Sequence, residues 1–208
     1  GQELSGEVIA ALLLFANLGG VGKRSRRGFG SLQIIEADPP SLETGGQELI
    51  LAKQPTDGQE LVEHINEVVG AACSLTSIPR GSPYTATQLP DYPVFSEDHA
   101  VVLVCKHAFT HLEHAYAQAM VDFWTKALRS RAFSDDSAYG HAIGGRRASP
   151  LLLHLWRTAA GYHLILTAFC SSPLPAGRRG WIKLRERLGF CKETWQGEYV
   201  FGKGISND

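Results

Sequence analysis

The chain has 208 residues and a formal net charge of −1 with histidine neutral. This length fits one ordinary domain, or one domain with part of another. With 44% hydrophobic and 20% charged residues, the chain can bury a core, which excludes disorder throughout. No run approaches the roughly 18 apolar residues that cross a bilayer. We therefore expect a cytoplasmic protein with no membrane partner.

The charge is unevenly distributed along the chain. Residues 1–104 carry 6 Lys+Arg and 13 Asp+Glu, whereas residues 105–208 carry 14 and 8. The acidic half nevertheless holds four positive charges in five residues, at Lys23, Arg24, Arg26 and Arg27. A basic focus in an acidic surrounding is typical of a local anion site. The alternative is a solvated loop with spare charge.

The first predicted elements are a helix, a glycine-rich loop and a strand. Residues 5–18 are rich in Ala and Leu behind a candidate N-cap at Ser5. Because this segment is apolar nearly all round, we expect it to be buried against a sheet. Gly19 and Gly20 end it, and residues 31–37 are predicted to form a strand that stops at Asp38-Pro39-Pro40.

Periodicity and turn residues predict the remaining elements. In chain order these are a possible short strand at 48–52, a helix at 58–72 capped by Asp57, a long exposed loop at 74–98, a buried strand at 99–105, a helix at 107–132, a glycine-containing loop at 134–150, a hairpin of strands 151–158 and 162–170, a basic helix at 177–188, and a weakly ordered tail or short strand from Gly197.

Interleaved helices and strands with a hairpin favour an α+β fold, with helices packed on a mainly antiparallel sheet. Because the chain opens on a helix, a glycine loop and a strand, we expect residues 1–37 to be the end of one domain and residues 38–208 to form a second. The four cysteines form no C-x-x-C pair and are predicted to be reduced and mostly buried, with Cys191 the candidate for exposure.

The glycine-rich segment Gly19-Gly20-Val21-Gly22-Lys23-Arg24-Ser25-Arg26-Arg27-Gly28-Phe29-Gly30 suits two chemistries. The first is nucleotide phosphate binding by a P-loop. That motif needs Gly at position 17, where the chain has Asn, and Ser or Thr at position 24, where it has Arg. It also needs a strand before the loop and a helix after it, the reverse of the predicted order.

The second chemistry is binding of a polynucleotide backbone. Glycines let the main chain approach phosphates and expose N–H donors, and arginine bridges phosphate oxygens in a bidentate manner. Phe29 either stacks on a base or packs inward, and inward packing is favoured.

This segment, after an Ala/Leu-rich helix, resembles the glycine-rich loop of the RAMP superfamily of CRISPR proteins. The form Arg26-Arg27-Gly28-Phe29-Gly30-Ser31 is most similar to the first RAMP subunit of type III-B Cmr effector complexes. A second stretch, Arg146-Arg147-Ala148-Ser149-Pro150 before a strand, resembles the second RAMP domain of that subunit.

The resemblance implies ferredoxin-like (RRM-like) RAMP domains in tandem. It implies a non-catalytic subunit that contacts crRNA near its 3′ end or target RNA, caps the complex and binds its other subunits in antiviral defence. Carried over by position, the RNA-binding residues are Gly19, Gly20, Gly22, Lys23, Arg24, Ser25, Arg26, Arg27, Gly28, Phe29 and Gly30, with Arg146 and Arg147 a weaker match. No catalytic residue, metal or cofactor is implied.

Three alternatives stay open. His107 and His111 share a face of the predicted helix and could chelate a metal, although a third ligand is missing. His141, near Arg146 and Arg147, is the best candidate for the general base of a RAMP-like endoribonuclease. A cluster on the last predicted helix is either an RNA-facing or subunit-facing surface or a solvated face; it comprises Arg178, Arg179, Trp181, Arg185 and Arg187.

Overall fold

The computed structural model describes residues 4–22, 28–76, 95–97, 99–119, 151–170 and 177–202, with side chains in the last range described from Leu184. Its elements, in chain order, are α1 (Gly6–Leu18), β1 (Ser41–Thr44), β2 (Gln47–Ile50), α2 (Gly58–Leu75), β3 (Ala100–Cys105), α3 (Leu112–Gln118), β4 (Leu151–Thr158), β5 (Gly161–Phe169), α4 (Gly177–Thr194) and β6 (Gly197–Phe201).

The second half of the chain folds as β3-α3-β4-β5-α4-β6, and its strands form one antiparallel sheet in the order β4-β5-β3-β6. This is the βαββαβ arrangement of a ferredoxin-like domain. The predicted α+β ferredoxin-like fold is therefore confirmed, including the β4–β5 hairpin and the final short strand. The division of the chain between residues 37 and 38 stays a prediction.

Helices cover both faces of this sheet. On one face, α3 and α4 pack against β3, β4 and β5 through Ala115, Leu184 and Leu188, all of which are essentially inaccessible to solvent. On the other face, Leu61 and Ile65 of α2 pack against the sheet. All six residues of β3 are buried as a result.

Helix α2 begins where its cap was predicted. One carboxylate oxygen of Asp57, Oδ1, accepts hydrogen bonds from the backbone N–H groups of Gln59 and Glu60, at 2.8 and 2.9 Å. These bonds satisfy N–H groups that have no partner inside the helix. The helix runs to Leu75, three residues beyond its predicted end.

Helix α1 is only partly buried, which corrects the expectation that it is buried against a sheet. Leu13 packs with Val68 of α2, whereas Val8, Leu12 and Phe15 are between 45 and 54% exposed. The reason is that α2 already covers this sheet face, so α1 reaches the sheet only near its C-terminal end, at Leu18.

The predicted strand at 31–37 is absent, because these residues form no ladder with β4. Side chains take the place of the ladder hydrogen bonds. Ser31 Oγ accepts from the backbone N–H of Leu155 at 2.9 Å, and Gln33 Nε2 donates to the carbonyl oxygen of Arg157 at 3.2 Å. The segment therefore follows the edge of β4 without becoming a strand of the sheet.

The helix predicted from residue 107 begins only at Leu112. The residues before it form hydrogen bonds with distant parts of the chain. The N–H of His107 donates to the carbonyl oxygen of Trp195, and Phe109 exchanges two backbone hydrogen bonds with Tyr162. These partners hold the backbone extended. The end predicted for this helix lies outside the described residues.

The suggested exposure of Cys191 is also wrong, since this residue is 2% exposed on the inner side of α4.

Candidate nucleic-acid interface

The glycine-rich loop begins where α1 ends. The N–H of Gly19 donates to the carbonyl oxygen of Phe15 at 3.0 Å and closes the last turn of the helix. A Cβ atom at position 19 would lie 2.6 Å from that same oxygen. The predicted helix end at Gly19 and Gly20 is confirmed.

A backbone hydrogen bond closes the base of the loop. The N–H of Val21 donates to the carbonyl oxygen of Gly30 at 2.9 Å. Gly30 has a φ of 72°, and a Cβ there would lie 2.1 Å from the carbonyl oxygen of Val21. Only glycine fits this crossing of the two chain segments without distortion.

Two side-chain contacts with β4 fix the loop to the sheet edge. His154 Nδ1 lies 2.7 Å from the carbonyl oxygen of Gly19 and, because a carbonyl only accepts, carries the proton. Ser31 Oγ donates to the carbonyl oxygen of Gly28 at 2.9 Å and accepts from Leu155 N–H. One contact holds the start of the loop and the other holds its end.

Burial lowers the pKa of His154 to about 4, although the carbonyl groups of Gly19 and Leu32 favour the protonated ring. The imidazole is therefore neutral at pH 7. A neutral ring offers the Nδ1–H donor without placing a positive charge under the loop.

The loop is connected to an open groove of about 460 Å³. Residues 28–33 form one wall, α3 forms the other, and the ends of β4 and β5 form the floor. The rings of Phe29 and Tyr116 meet edge to face with centroids 4.6 Å apart. Its lining also includes Leu112, Glu113, Leu155, Arg157 and Tyr162.

Phe29 was expected to pack inward and not to be available for stacking on a base. The structure shows it partly packed and partly exposed. Its ring contacts Tyr116, yet the residue remains 43% exposed. It therefore lies at the groove surface, in a position from which an aromatic ring can contact a ligand.

Of the predicted RNA-binding residues, the structure brings together Gly19, Gly20, Gly22, Gly28, Phe29 and Gly30. The predicted cationic contacts Lys23, Arg24, Arg26 and Arg27 lie outside the described residues, as do Ser25, Arg146, Arg147 and His141. The described residues stop at Gly22 and resume at Gly28, and contacts with β4 anchor the chain on both sides of this gap, at Gly19 and at Ser31.

The sheet face that RRM domains use for base stacking is closed. In an RRM, exposed aromatic side chains on the sheet stack with bases. Here α2 covers that face, and Trp156, an aromatic residue on it, is 1% exposed. The surface that an RRM uses for base stacking is therefore covered in this domain.

The structure disfavours the P-loop and metal alternatives within its described part. A helix precedes the glycine-rich loop and an extended segment follows it, which is not the strand–loop–helix order of a P-loop. His107 and His111 do not share a helix, because α3 begins after both. Among the described residues, no group of three or more His, Cys, Asp or Glu side chains is placed to hold a metal.

Helix α4 carries the predicted basic cluster. Arg185 and Arg187 are only partly exposed, and the side chains of Arg178, Arg179 and Trp181 are outside the described set.

Within the described ranges, no helix has the length and apolar character needed to cross a membrane.

The groove was not predicted from the sequence. Tyr116 falls within the helix predicted at 107–132, and Arg157 and Tyr162 fall within the two strands of the predicted hairpin. One signal was present: Arg157 continues the inward alternation of Leu151, Leu153 and Leu155. Because charged residues are rarely buried without a partner, Arg157 at this position indicates that the core ends before this end of β4.

No protein-family model and no curated protein sequence matches the chain. Its fold is similar to that of Cmr1 from Pyrococcus furiosus in the crystal structure of the apo form, with a TM-score of 0.55 and 18% sequence identity. The similarity covers 97% of this chain and 61% of that one, so this chain spans about three fifths of the length of Cmr1. At this identity, the comparison establishes that the chain has a fold distantly related to that of Cmr1.

Proposed function

We propose that the chain is a non-catalytic RNA-binding component of a type III-B CRISPR effector complex. The segment from Gly19 to Gly30 holds the backbone of crRNA near its 3′ end or of target RNA, with Arg146 and Arg147 as secondary contacts. Its other partners are the neighbouring subunits, and residues 1–37 are the end of a first RAMP domain. The fold shared with Cmr1 and the resemblance of the loop sequence support this assignment.

The observation that carries the proposal is the anchoring of the loop. The Val21–Gly30 bond closes its base, and His154 and Ser31 fix its two ends to β4. Loss of side-chain and loop freedom opposes binding, so a loop that is already anchored binds more tightly than a free one. Four cationic side chains between the anchors supply the charge for phosphates.

The test is salt-dependent binding of single-stranded RNA. Changing Arg26 and Arg27 to Ala removes two phosphate contacts and is expected to reduce the slope of log K against log salt concentration by about 1.4, at ~0.7 for each phosphate. The variant should also bind more weakly at low salt. RNA recovered from these reactions is expected to be intact.

A matched control removes the same charge elsewhere. Lys106 contacts Glu198, and Lys192 lies over the ring of Tyr199, so both are beside β6, at the opposite edge of the sheet from the loop. The pair Lys106→Ala and Lys192→Ala should leave the slope almost unchanged. If both double variants reduce the slope equally, local binding of RNA phosphates by the loop is refuted. RNA cleavage that disappears in His141→Ala would instead favour the endoribonuclease.

Membership of the complex needs its own measurement. RNA crosslinking and mass spectrometry on the assembled complex should identify peptides that contain residues 19–30. Crosslinks confined to other surfaces of the chain would contradict the proposed site.

A further inference from the structure

The groove beside the loop has the composition of a base-stacking site. Its wall and floor present three aromatic rings, those of Phe29, Tyr116 and Tyr162, next to Leu112 and Leu155. We propose that this groove takes one unstacked nucleobase of the single-stranded RNA whose backbone the loop holds. The inference therefore rests on the proposed function and adds a second, uncharged component to binding.

The position of the groove matches this occupant. Gly28 and Phe29 form the start of its wall and directly follow Arg27 in the chain. Because the cationic segment is joined directly to this wall, we expect a nucleotide held there by its phosphate to bring its base within reach of the groove. Each base has an apolar face that stacks on aromatic rings, and this contact is worth about 1–3 kcal/mol per base.

The groove is also held in shape before any ligand binds. Ser31 fixes the wall to β4 through Gly28 and Leu155, and Gln33 is held by Gln54 and the Arg157 carbonyl group. The edge-to-face contact with Tyr116 orients the Phe29 ring.

Charge distinguishes this groove from a second cavity. That cavity, of about 170 Å³, lies between the β1–β2 hairpin and α2 and is lined by Glu48 and Glu67. Its carboxylates disfavour a polyanion. The groove is lined by one cationic residue, Arg157, and one carboxylate, that of Glu113, so its lining carries no net negative charge. Arg157 forms no ion pair with another described residue, and its planar group is suited to a base edge or a phosphate.

The experiment compares a single-stranded RNA of uniform sequence with an abasic oligonucleotide of the same length and backbone. The intact RNA is expected to bind the wild-type chain about 5- to 150-fold more tightly, which corresponds to one stacked base. Tyr116→Ala should bring this ratio close to 1 without changing affinity for the abasic strand. Tyr116→Phe keeps the ring and should keep the ratio.

A second variant fills the groove. Leu112 is 43% exposed on α3, so Leu112→Trp is tolerated by the fold and places a large ring in the space for the base. It should lower the ratio as Tyr116→Ala does. With 2-aminopurine as the base, wild-type chain should quench the fluorescence and Leu112→Trp should not.

The outcomes separate this inference from the proposed function. If changing Arg26 and Arg27 leaves the salt dependence of binding unchanged while the affinity ratio depends on Tyr116, the base site is supported. In that case the proposed phosphate binding by the cationic segment is wrong. A ratio of 1 in the wild-type chain overturns the base site, as does a ratio that neither variant changes. In those cases the groove belongs to another occupant, such as a partner's apolar side chain.

Discussion

The imidazole of His154 joins the middle of β4 to the first residue of the glycine-rich loop, through the 2.7 Å bond from Nδ1 to the carbonyl oxygen of Gly19. The same ring begins a buried row of aromatic side chains. The centroid of Trp156 is 5.8 Å from that of His154 and 5.4 Å from that of His64 on α2. The residue that anchors the loop is thus in line with the packing between α2 and the sheet.

This row predicts that stability falls in mild acid. Burial lowers the pKa values of His64 and His154 to about 4, from 6.5 for an exposed ring. Between these values the unfolded chain binds more protons than the folded one, so stability rises with pH and is lost on acidification from 6.5 towards 4. From pH 6.5 to 5 we expect a loss of about 1.5 kcal/mol per ring.

Urea denaturation at several pH values measures this loss. His154→Gln should be less stable at pH 7.5 but should show a shallower decline between pH 6.5 and 5. The exposed His114 offers a matched control, and His114→Gln should keep the full decline. A wild-type stability that stays constant over this interval would be incompatible with two buried neutral rings.

A second prediction concerns the closure of the loop. Gly30→Ala places a methyl group 2.1 Å from the carbonyl oxygen of Val21, at a φ of 72°. Relief of this clash breaks the Val21–Gly30 bond, and we expect a loss of more than about 1 kcal/mol in stability. RNA affinity should fall as well, because the loop is no longer held at its base.

Gly46 supplies the control for Gly30. It has a similar φ, 77°, in the turn between β1 and β2, and no atom lies within 4 Å of a Cβ built there. Gly46→Ala therefore carries the backbone strain without the clash. Stability should be measured by thermal unfolding and affinity by fluorescence anisotropy. If both variants lose RNA affinity equally, closure of the loop by the Val21–Gly30 bond does not explain RNA binding.

Local signals in the sequence predicted those elements whose backbone partners are local or whose side chains face the core. The Asp57 cap and the alternating strands of the β4–β5 hairpin are examples. The failures at 31–37 and 107–111 have one cause. In both segments, distant residues accept or donate the decisive hydrogen bonds: Leu155 for Ser31, and Trp195 for His107.

The candidate site divides in the same way. Its glycines could be predicted because the loop and its φ values are properties of one short segment. The groove could not, because Phe29, Tyr116 and Tyr162 come from three separate parts of the chain. Only the sheet order, which places β4 at the edge, brings α3 and the loop to one surface.

A third prediction separates stability from RNA binding. Leu61 on α2 is fully buried against the sheet face that an RRM would leave open. Leu61→Ala is expected to reduce the free energy of unfolding by about 2–5 kcal/mol. The affinity of the folded fraction for RNA should not change, because the proposed interface is at the β4 edge. Tighter binding on loosening α2 would place the RNA on the covered sheet face.

The last prediction follows from the four cysteines, which are buried thiols: Cys73, Cys105, Cys170 and Cys191. Burial raises the pKa of the Cys105 thiol well above its ordinary value and that of Cys170 to about 12. Since the thiolate is the reactive form, both groups should be inert in the folded chain.

Labelling with a thiol-specific reagent at pH 8 checks this, with the denatured chain as the reference for four reactive thiols. We expect labelling of the native chain to follow its rate of opening, and to speed up in Leu61→Ala because that variant opens more often. Cys191 is the most informative of the four, because the sequence suggested its exposure and the structure buries it. Rapid labelling of Cys191 alone in the native wild-type chain would mean that α4 does not pack through this residue.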